Sequence, residues 1–176
     1  MHADHHTLTL ELPDEAATLA LGAALAAQVG VDPTAKAVIT LEGDLGAGKT
    51  TLVRGWLRAI GDTGPVKSPT YTLVEVHAVS GLNLYHFDFY RFNQPEEYLD
   101  AGLDEYFAGD GICLVEWPDK AAPYLPAPDL VVCLTVAANG RHACLSAHGE
   151  RGRQWLNGLT KSPSLAATSS SSPPPA

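Results

Sequence analysis

The stretch Leu41-Glu42-Gly43-Asp44-Leu45-Gly46-Ala47-Gly48-Lys49-Thr50-Thr51 fits the pattern G-x-x-x-x-G-K-[ST] and stands where that pattern has a mechanical meaning. The apolar run Ala37-Val38-Ile39-Thr40-Leu41 leads into it. After Lys49 the apolar residues Leu52, Val53, Trp56, Leu57 and Ile60 recur on one face of a helix that Gly61 ends. Strand, glycine loop and helix make the P-loop unit. Its glycines let successive backbone N–H groups turn inward around a polyphosphate, and the helix adds its positive dipole end. Lys49 is expected to reach the outer phosphates and the Thr50 hydroxyl to ligate Mg²⁺. A chance match to four fixed positions occurs in on the order of one in a hundred chains of this length or fewer, and the flanking strand and helix make it rarer.

The 176 residues, 45% hydrophobic and 18% charged, suffice for one globular domain with a proper core. No run of apolar residues reaches the roughly 18 of a membrane span, and the start MHADHHTLTL lacks the layout of a signal peptide. The expected compartment is the cytoplasm, with no membrane partner. Cys113, Cys133 and Cys144 sit singly inside apolar runs and read as buried small hydrophobes. The formal charge of −9 argues against a broad phosphate-contacting surface, so any nucleic acid is expected to be held by another protein. His2, His5 and His6 read as an untethered start rather than a metal site.

Outward from the P-loop, Thr7 to Leu12 alternates as a first strand. Pro13-Asp14-Glu15 opens a helix whose Ala17, Leu21, Leu25 and Val29 face inward and which Gly30 closes. Asp62 to Thr70 is a turn-rich loop too long for a minimal connection. Tyr71–Val79 and Leu82–Phe92 are predicted strands joined at Ser80-Gly81. Short helices follow at Gln94–Glu97 and Ala101–Phe107. Ile112–Trp117 reads as a strand buried on both faces and ending in a carboxylate. Leu130–Val136 and His142–Ala147 form a hairpin at Asn139-Gly140, and Gly152–Leu159 a last helix. The predicted fold is α/β: a P-loop NTPase-like three-layer architecture with a mostly parallel central sheet and antiparallel additions. Residues 1–160 form the single domain, and the Ser- and Pro-rich residues 161–176 are expected to be a disordered tail.

A P-loop site needs an acid near the Mg²⁺ shell and a group to position the attacking water. Glu116 ends an apolar strand, where open α/β sheets carry ligand residues; the alternative is a solvated strand end. Asp88 lies among aromatics and needs a partner against desolvation, which Arg91 or His86 offers in a purely structural reading. Thr70, on the long loop, is where switch-type NTPases sense a γ-phosphate; the alternative is turn chemistry.

Taken together, GDLGAGKTT, VKSPTYTLVE, YHFDFYRF, PEE, AGLDEYF and LVEWPDKA, in this order, closely resemble the bacterial TsaE family. These are small P-loop ATPases needed for threonylcarbamoyladenosine in tRNAs that read codons beginning with adenine. The likeness runs from about Leu12 to Trp117 and more loosely to Leu145. It implies ATP and Mg²⁺ as cofactors, with Asp44, Leu45, Gly46, Ala47, Gly48, Lys49, Thr50 and Thr51 as the nucleotide loop. It also implies Ser68-Pro69-Thr70 as a switch-like loop, Asp88 as a Walker B-like acid and Glu116 at the metal. Glu15 and Arg141 fall where the family flanks the nucleotide. Implied partners are the proteins TsaD and TsaB, on whose complex the ATPase acts.

Two other function classes use the same loop. A small-molecule kinase requires arginines closing over an acceptor, whereas Arg54, Arg58, Arg91, Arg141, Arg151 and Arg153 are scattered. A nucleotide-dependent binding module differs from the ATPase only in turnover.

Overall fold

The structure is a computed structural model that describes residues 6–162 and Leu165. The chain runs β1 (Thr7–Leu12), α1 (Glu15–Val29), β2 (Lys36–Glu42), α2 (Lys49–Ala59), β3 (Val74–Val79), β4 (Leu82–Asp88), α3 (Glu97–Asp100), α4 (Glu105–Ala108), β5 (Gly111–Glu116), β6 (Leu130–Ala137), β7 (Gly140–Ala147) and α5 (Glu150–Thr160), with a 3-10 turn at Pro118–Lys120. A strand as uniformly apolar as β2 needs a neighbour on each edge and a layer on each face. It has them: the sheet order is β1-β7-β6-β2-β5-β4-β3, and β6, β2, β5 and β4 are parallel. β1, β7 and β3 add antiparallel strands at the two sides. The fold is the expected α/β class.

Period-2 alternation divides the core. Ala37, Ile39, Leu41, Leu84, Ile112 and Leu114 pack on the face carrying α1, α2 and α5, with Leu21, Leu25, Trp56 and Leu156. Val38, Phe87, Cys113 and Val115 face the other side, beneath Phe89, Tyr98, Leu103 and Phe107. There the rings of Phe87 and Phe107 stack at 4.9 Å. Asp14 caps α1 by accepting the Ala17 N–H at 2.8 Å, and Gly30, at φ 87°, donates back to the Ala26 carbonyl, as helix-end chemistry dictates.

Two glycines set how closely α1 and α2 lie. A Cβ at Gly22 would stand 2.1 Å from the Leu52 carbonyl oxygen, and one at Gly55 2.2 Å from the Leu19 carbonyl oxygen. Helix-interior glycine costs about 1 kcal/mol relative to alanine; here it permits backbone-to-backbone approach.

Four expectations are corrected. β3 begins at Val74 rather than Tyr71, because the Leu73 N–H donates to the Pro69 carbonyl and closes a turn. β4 ends at Asp88 rather than Phe92, because the Asp88 carboxylate accepts the Tyr90 N–H at 2.8 Å and turns the chain away from the ladder. Of the cysteines only Cys113 is buried, its thiol pushed up to about 12 by desolvation. Cys133 is half-buried and Cys144 exposed, for they pair across β6 and β7 on the sheet face opposite α1 and α5. Leu165, inside the segment expected to be tail, is 3% exposed and belongs to the core. Residues 163, 164 and 166–176 of that tail, and His2 and His5, lie outside the described residues. Among the described residues no helix is long and apolar enough to cross a membrane.

Gly22→Ala and Gly55→Ala are each expected to lower stability by about 2 kcal/mol, as overpacking does, instead of the gain an exposed helical Gly→Ala gives. Urea unfolding midpoints measure this; unchanged midpoints would mean that the helix crossing has slack.

Candidate functional site

β2 delivers the loop Gly43–Gly48 to the C-terminal edge of the sheet, between β5 and β6. Gly43 and Gly48 hold φ values of 145° and 109°, and a Cβ on Gly43 would lie 2.4 Å from the Leu134 carbonyl oxygen. The cradle therefore tolerates glycine alone at that point. α2 starts without a side-chain cap, so its first-turn N–H groups remain for an anion. Lys49 is 4% exposed. Its ammonium donates to the Gly43 carbonyl and lies 3.8 Å from the Trp117 ring centroid. Burial pushes its pKa down, opposed by the charges of Glu116, Asp88 and Asp44. Trp117 adopts φ 57° directly after β5, an uncommon conformation for a bulky residue.

The same alternation that builds the core brings the acids together. Along β4, Leu82, Leu84, His86 and Asp88 share a face, and along β5, Ile112, Leu114 and Glu116 do so. At the last register position Asp88 lies beside Glu116. Both are buried, 3% and 2% exposed, so each needs donors. Glu116 Oε2 accepts from the Thr50 hydroxyl at 3.2 Å and lies 2.5 Å from His86 Nε2. Asp88 accepts from the Ser68 hydroxyl through Oδ2 and from the Tyr90 N–H through Oδ1. Neither structural pairing considered for Asp88 is present: His86 serves Glu116, and Arg91 donates to the Tyr71 hydroxyl at 2.8 Å and stacks on its ring.

A cleft of about 450 Å³ joins these parts, lined by Leu45 to Thr51 together with Ser68, Thr70, Asp88, Tyr90, Arg91, Glu116 and Trp117. It gathers Lys49, Thr50, Thr70, Asp88 and Glu116. Asp44 stands outside it, in the P-loop turn, where its carbonyl accepts the Ala47 N–H. A recess of about 280 Å³ adjoins across Gly46, Gly48 and Thr51 and contains Glu15 and Arg141. Arg141 donates to the Ala47 and Gly46 carbonyls at 3.2 and 3.1 Å, bracing the back of the loop. Glu15 is at the rim, 3.8 Å from Arg54. Ser68 and Trp117 lie in the SPT and VEW phrases that carry the resemblance, without a role of their own assigned there, and His86 enters the sequence reading only as a structural partner for Asp88. Period-2 counting back from Asp88 places His86 on the same face of β4.

Among the described residues no group of three or more His, Cys, Asp or Glu side chains is placed to hold a metal ion. One hydroxyl and two carboxylates beside a polyphosphate cradle suit Mg²⁺, which takes one or two carboxylates and completes its shell with phosphate and water.

The family model described as "Threonylcarbamoyl adenosine biosynthesis protein TsaE" matches residues 12–143. A tRNA threonylcarbamoyladenosine biosynthesis protein TsaE from Haemophilus influenzae is 43% identical over 88% of this chain and 98% of its own. One from Bacillus subtilis is 44% identical over 65% of this chain and 72% of its own. The crystal structure of the Bacillus protein YdiB superposes with a TM-score of 0.73 at 32% identity, covering 92% of this chain and 98% of that one. With a P-loop, an SPT loop and buried acids on β4 and β5 in the matched span, the chain belongs to the TsaE family of threonylcarbamoyladenosine biosynthesis proteins.

Proposed function

We propose that this chain binds ATP with Mg²⁺ and hydrolyses it as a subunit of the machinery that installs threonylcarbamoyladenosine on tRNA, acting on a complex of TsaD and TsaB. The observation that carries the reading is the contact between the Thr50 hydroxyl, at the start of the P-loop helix, and the buried Glu116 carboxylate at the end of β5. These are the two groups an Mg²⁺–triphosphate requires side by side.

The N–H groups of residues 46–51 bind the polyphosphate, and Lys49 exchanges the Gly43 carbonyl for phosphate oxygen. Thr50 and Glu116 hold Mg²⁺, which neutralises phosphate charge when bound. Asp88, fixed by Ser68 and the Tyr90 N–H, accepts a hydrogen bond from the attacking water and orients it. Thr70, at the cleft wall, responds to the terminal phosphate. Arg141 is committed to P-loop carbonyls and Arg91 to Tyr71, so the chain holds little cationic help for the transition state beyond Lys49. That supports slow turnover alone and stimulation by a partner supplying the missing group, as GTPases borrow an arginine. Among the described residues Arg91 is the one arginine lining the cleft, so no observation favours a kinase that closes arginines over an acceptor.

Lys49→Ala removes the charge facing the phosphates and leaves the backbone cradle. Steady-state phosphate release is expected to fall by about 100-fold or more, the scale of losing one preorganised electrostatic partner, with the circular-dichroism spectrum retained. Full activity in the folded variant would take the P-loop out of the reaction.

Glu116→Ala and Thr70→Ala separate metal holding from phosphate sensing. Calorimetric titration should show Glu116→Ala losing Mg²⁺-dependent nucleotide affinity, while Thr70→Ala keeps ADP affinity and loses hydrolysis. Equal defects in ADP binding would merge the two roles.

Partner dependence is measured by phosphate release with and without TsaD and TsaB. A marked rise in the wild type, blunted by Thr70→Ala, is expected. Fast hydrolysis by the isolated chain, indifferent to the complex, would exclude the partner-dependent mechanism.

A further inference from the structure

His86 has none of its surface exposed, and its Nδ1 has no hydrogen-bond partner among the described residues. Among the described residues, the one polar contact of its ring is Nε2 to Glu116 Oε2 at 2.5 Å. For Nε2 to donate to the carboxylate it must carry a proton, and Nδ1, as donor or as acceptor, is then buried with no partner among the described residues. An orphaned buried polar atom is costly and calls for an explanation. Packing alone does not supply one. The face His86 shares with Leu82 and Leu84 on β4 and with Ile112 and Leu114 on β5 is apolar up to the carboxylates at its end, and a leucine there would pack with it and carry no unsatisfied atom of its own.

The register explains what the imidazole does. On parallel β4 and β5, His86 pairs with Leu114 and Asp88 with Glu116, so the ring reaches diagonally toward the strand end and meets the Glu116 carboxylate from inside the sheet. Thr50 meets the same carboxylate from the cleft side. Oε2 is thus held from within, while Oε1 has only the longer Thr50 contact, at 3.4 Å.

We propose that His86 is a positioning residue: its Nε2–H pins Glu116 Oε2 and so fixes which carboxylate oxygen, in which rotamer, faces the divalent cation beside Thr50. The inference rests on the Mg²⁺–nucleotide reading above. Partners of this outer kind set ligand orientation and basicity, and their loss typically costs about 10–100-fold in metal affinity.

The test is equilibrium binding of a fluorescent non-hydrolysable ATP analogue to the full chain, in Mg²⁺ and in EDTA, for the wild type and three variants. His86→Leu keeps the bulk and removes the donor. His86→Gln places an amide N–H near the position of Nε2–H, and His86→Asn is a methylene too short to do so. The expected result is that His86→Leu and His86→Asn lose about 10–100-fold of the affinity that Mg²⁺ adds. Their affinity in EDTA should stay within about twofold of wild type, because the P-loop cradle is untouched, and His86→Gln should retain most of the Mg²⁺ gain. A folded His86→Leu with the full Mg²⁺ gain overturns the proposal. So does a loss of equal size with and without Mg²⁺, which marks a merely structural residue. If His86→Leu does not fold, the Gln and Asn pair decides, and equal behaviour of the two overturns it. A wild type whose affinity Mg²⁺ does not raise defeats the Mg²⁺–nucleotide reading, and this inference with it. A wild-type gain that survives in the variants defeats this inference alone.

Discussion

A carboxylate withdrawn from water must be met by donors, and the site is built around meeting that demand for Glu116. At 2% exposure an ionised side chain is tolerated only with partners in place, and here they come from two elements far apart in sequence: the hydroxyl at the start of α2 and the imidazole near the end of β4. Each also fixes geometry. The Thr50 contact ties the P-loop helix to β5, and the His86 contact ties β4 to β5 on the face beneath that helix. Asp88, one strand over, draws in Ser68 and the Tyr90 amide, so the long loop after α2 is anchored to the same strand end.

The arrangement follows from strands that are apolar along most of their length and polar only at the last turns of the pleat. On β5, Ile112 and Leu114 belong to the core, and Glu116 continues their face into the cleft. On β4, Leu82 and Leu84 precede His86 and Asp88 in the same way. Since alternate residues share a face, the interior of the fold and the floor of the site are one surface, apolar at one end and ionic at the other.

Much of this was legible in the chain. The P-loop, its strand and its helix follow from glycine spacing and apolar periodicity, and Glu116 stands out because it interrupts an apolar run. What stayed hidden depends on pairing between distant strands. That His86 serves Glu116 and not its neighbour Asp88 depends on the β4–β5 register, which no local pattern encodes. Arg141 bracing the Gly46 and Ala47 carbonyls requires β7 to pair beside β6, one strand from β2, and the contact between Gly22 and α2 is visible only when the two helices are packed in space. The strands stop short of Tyr71 and Phe92 because β-rich composition continues past the point where a side chain or carbonyl captures the backbone. Cys133 and Cys144 are less buried than their apolar runs suggest, because such a run does not say whether both of its faces are covered.

The position of β2 in the sheet has a temporal consequence. Its two hydrogen-bonded neighbours, β5 and β6, come from residues 111–116 and 130–137, long after the P-loop itself has left the ribosome. Until then the nascent chain offers the neighbouring helices α1 and α2 and the β3–β4 hairpin as locally closed units, and contacts of such sequence separation must wait for loop closure. The strand that carries the glycine loop therefore acquires its edges late in synthesis. Ordering of the glycine loop becomes a property of the nearly complete polypeptide, because the segments before β5 contain neither of the strands that hold β2 in place.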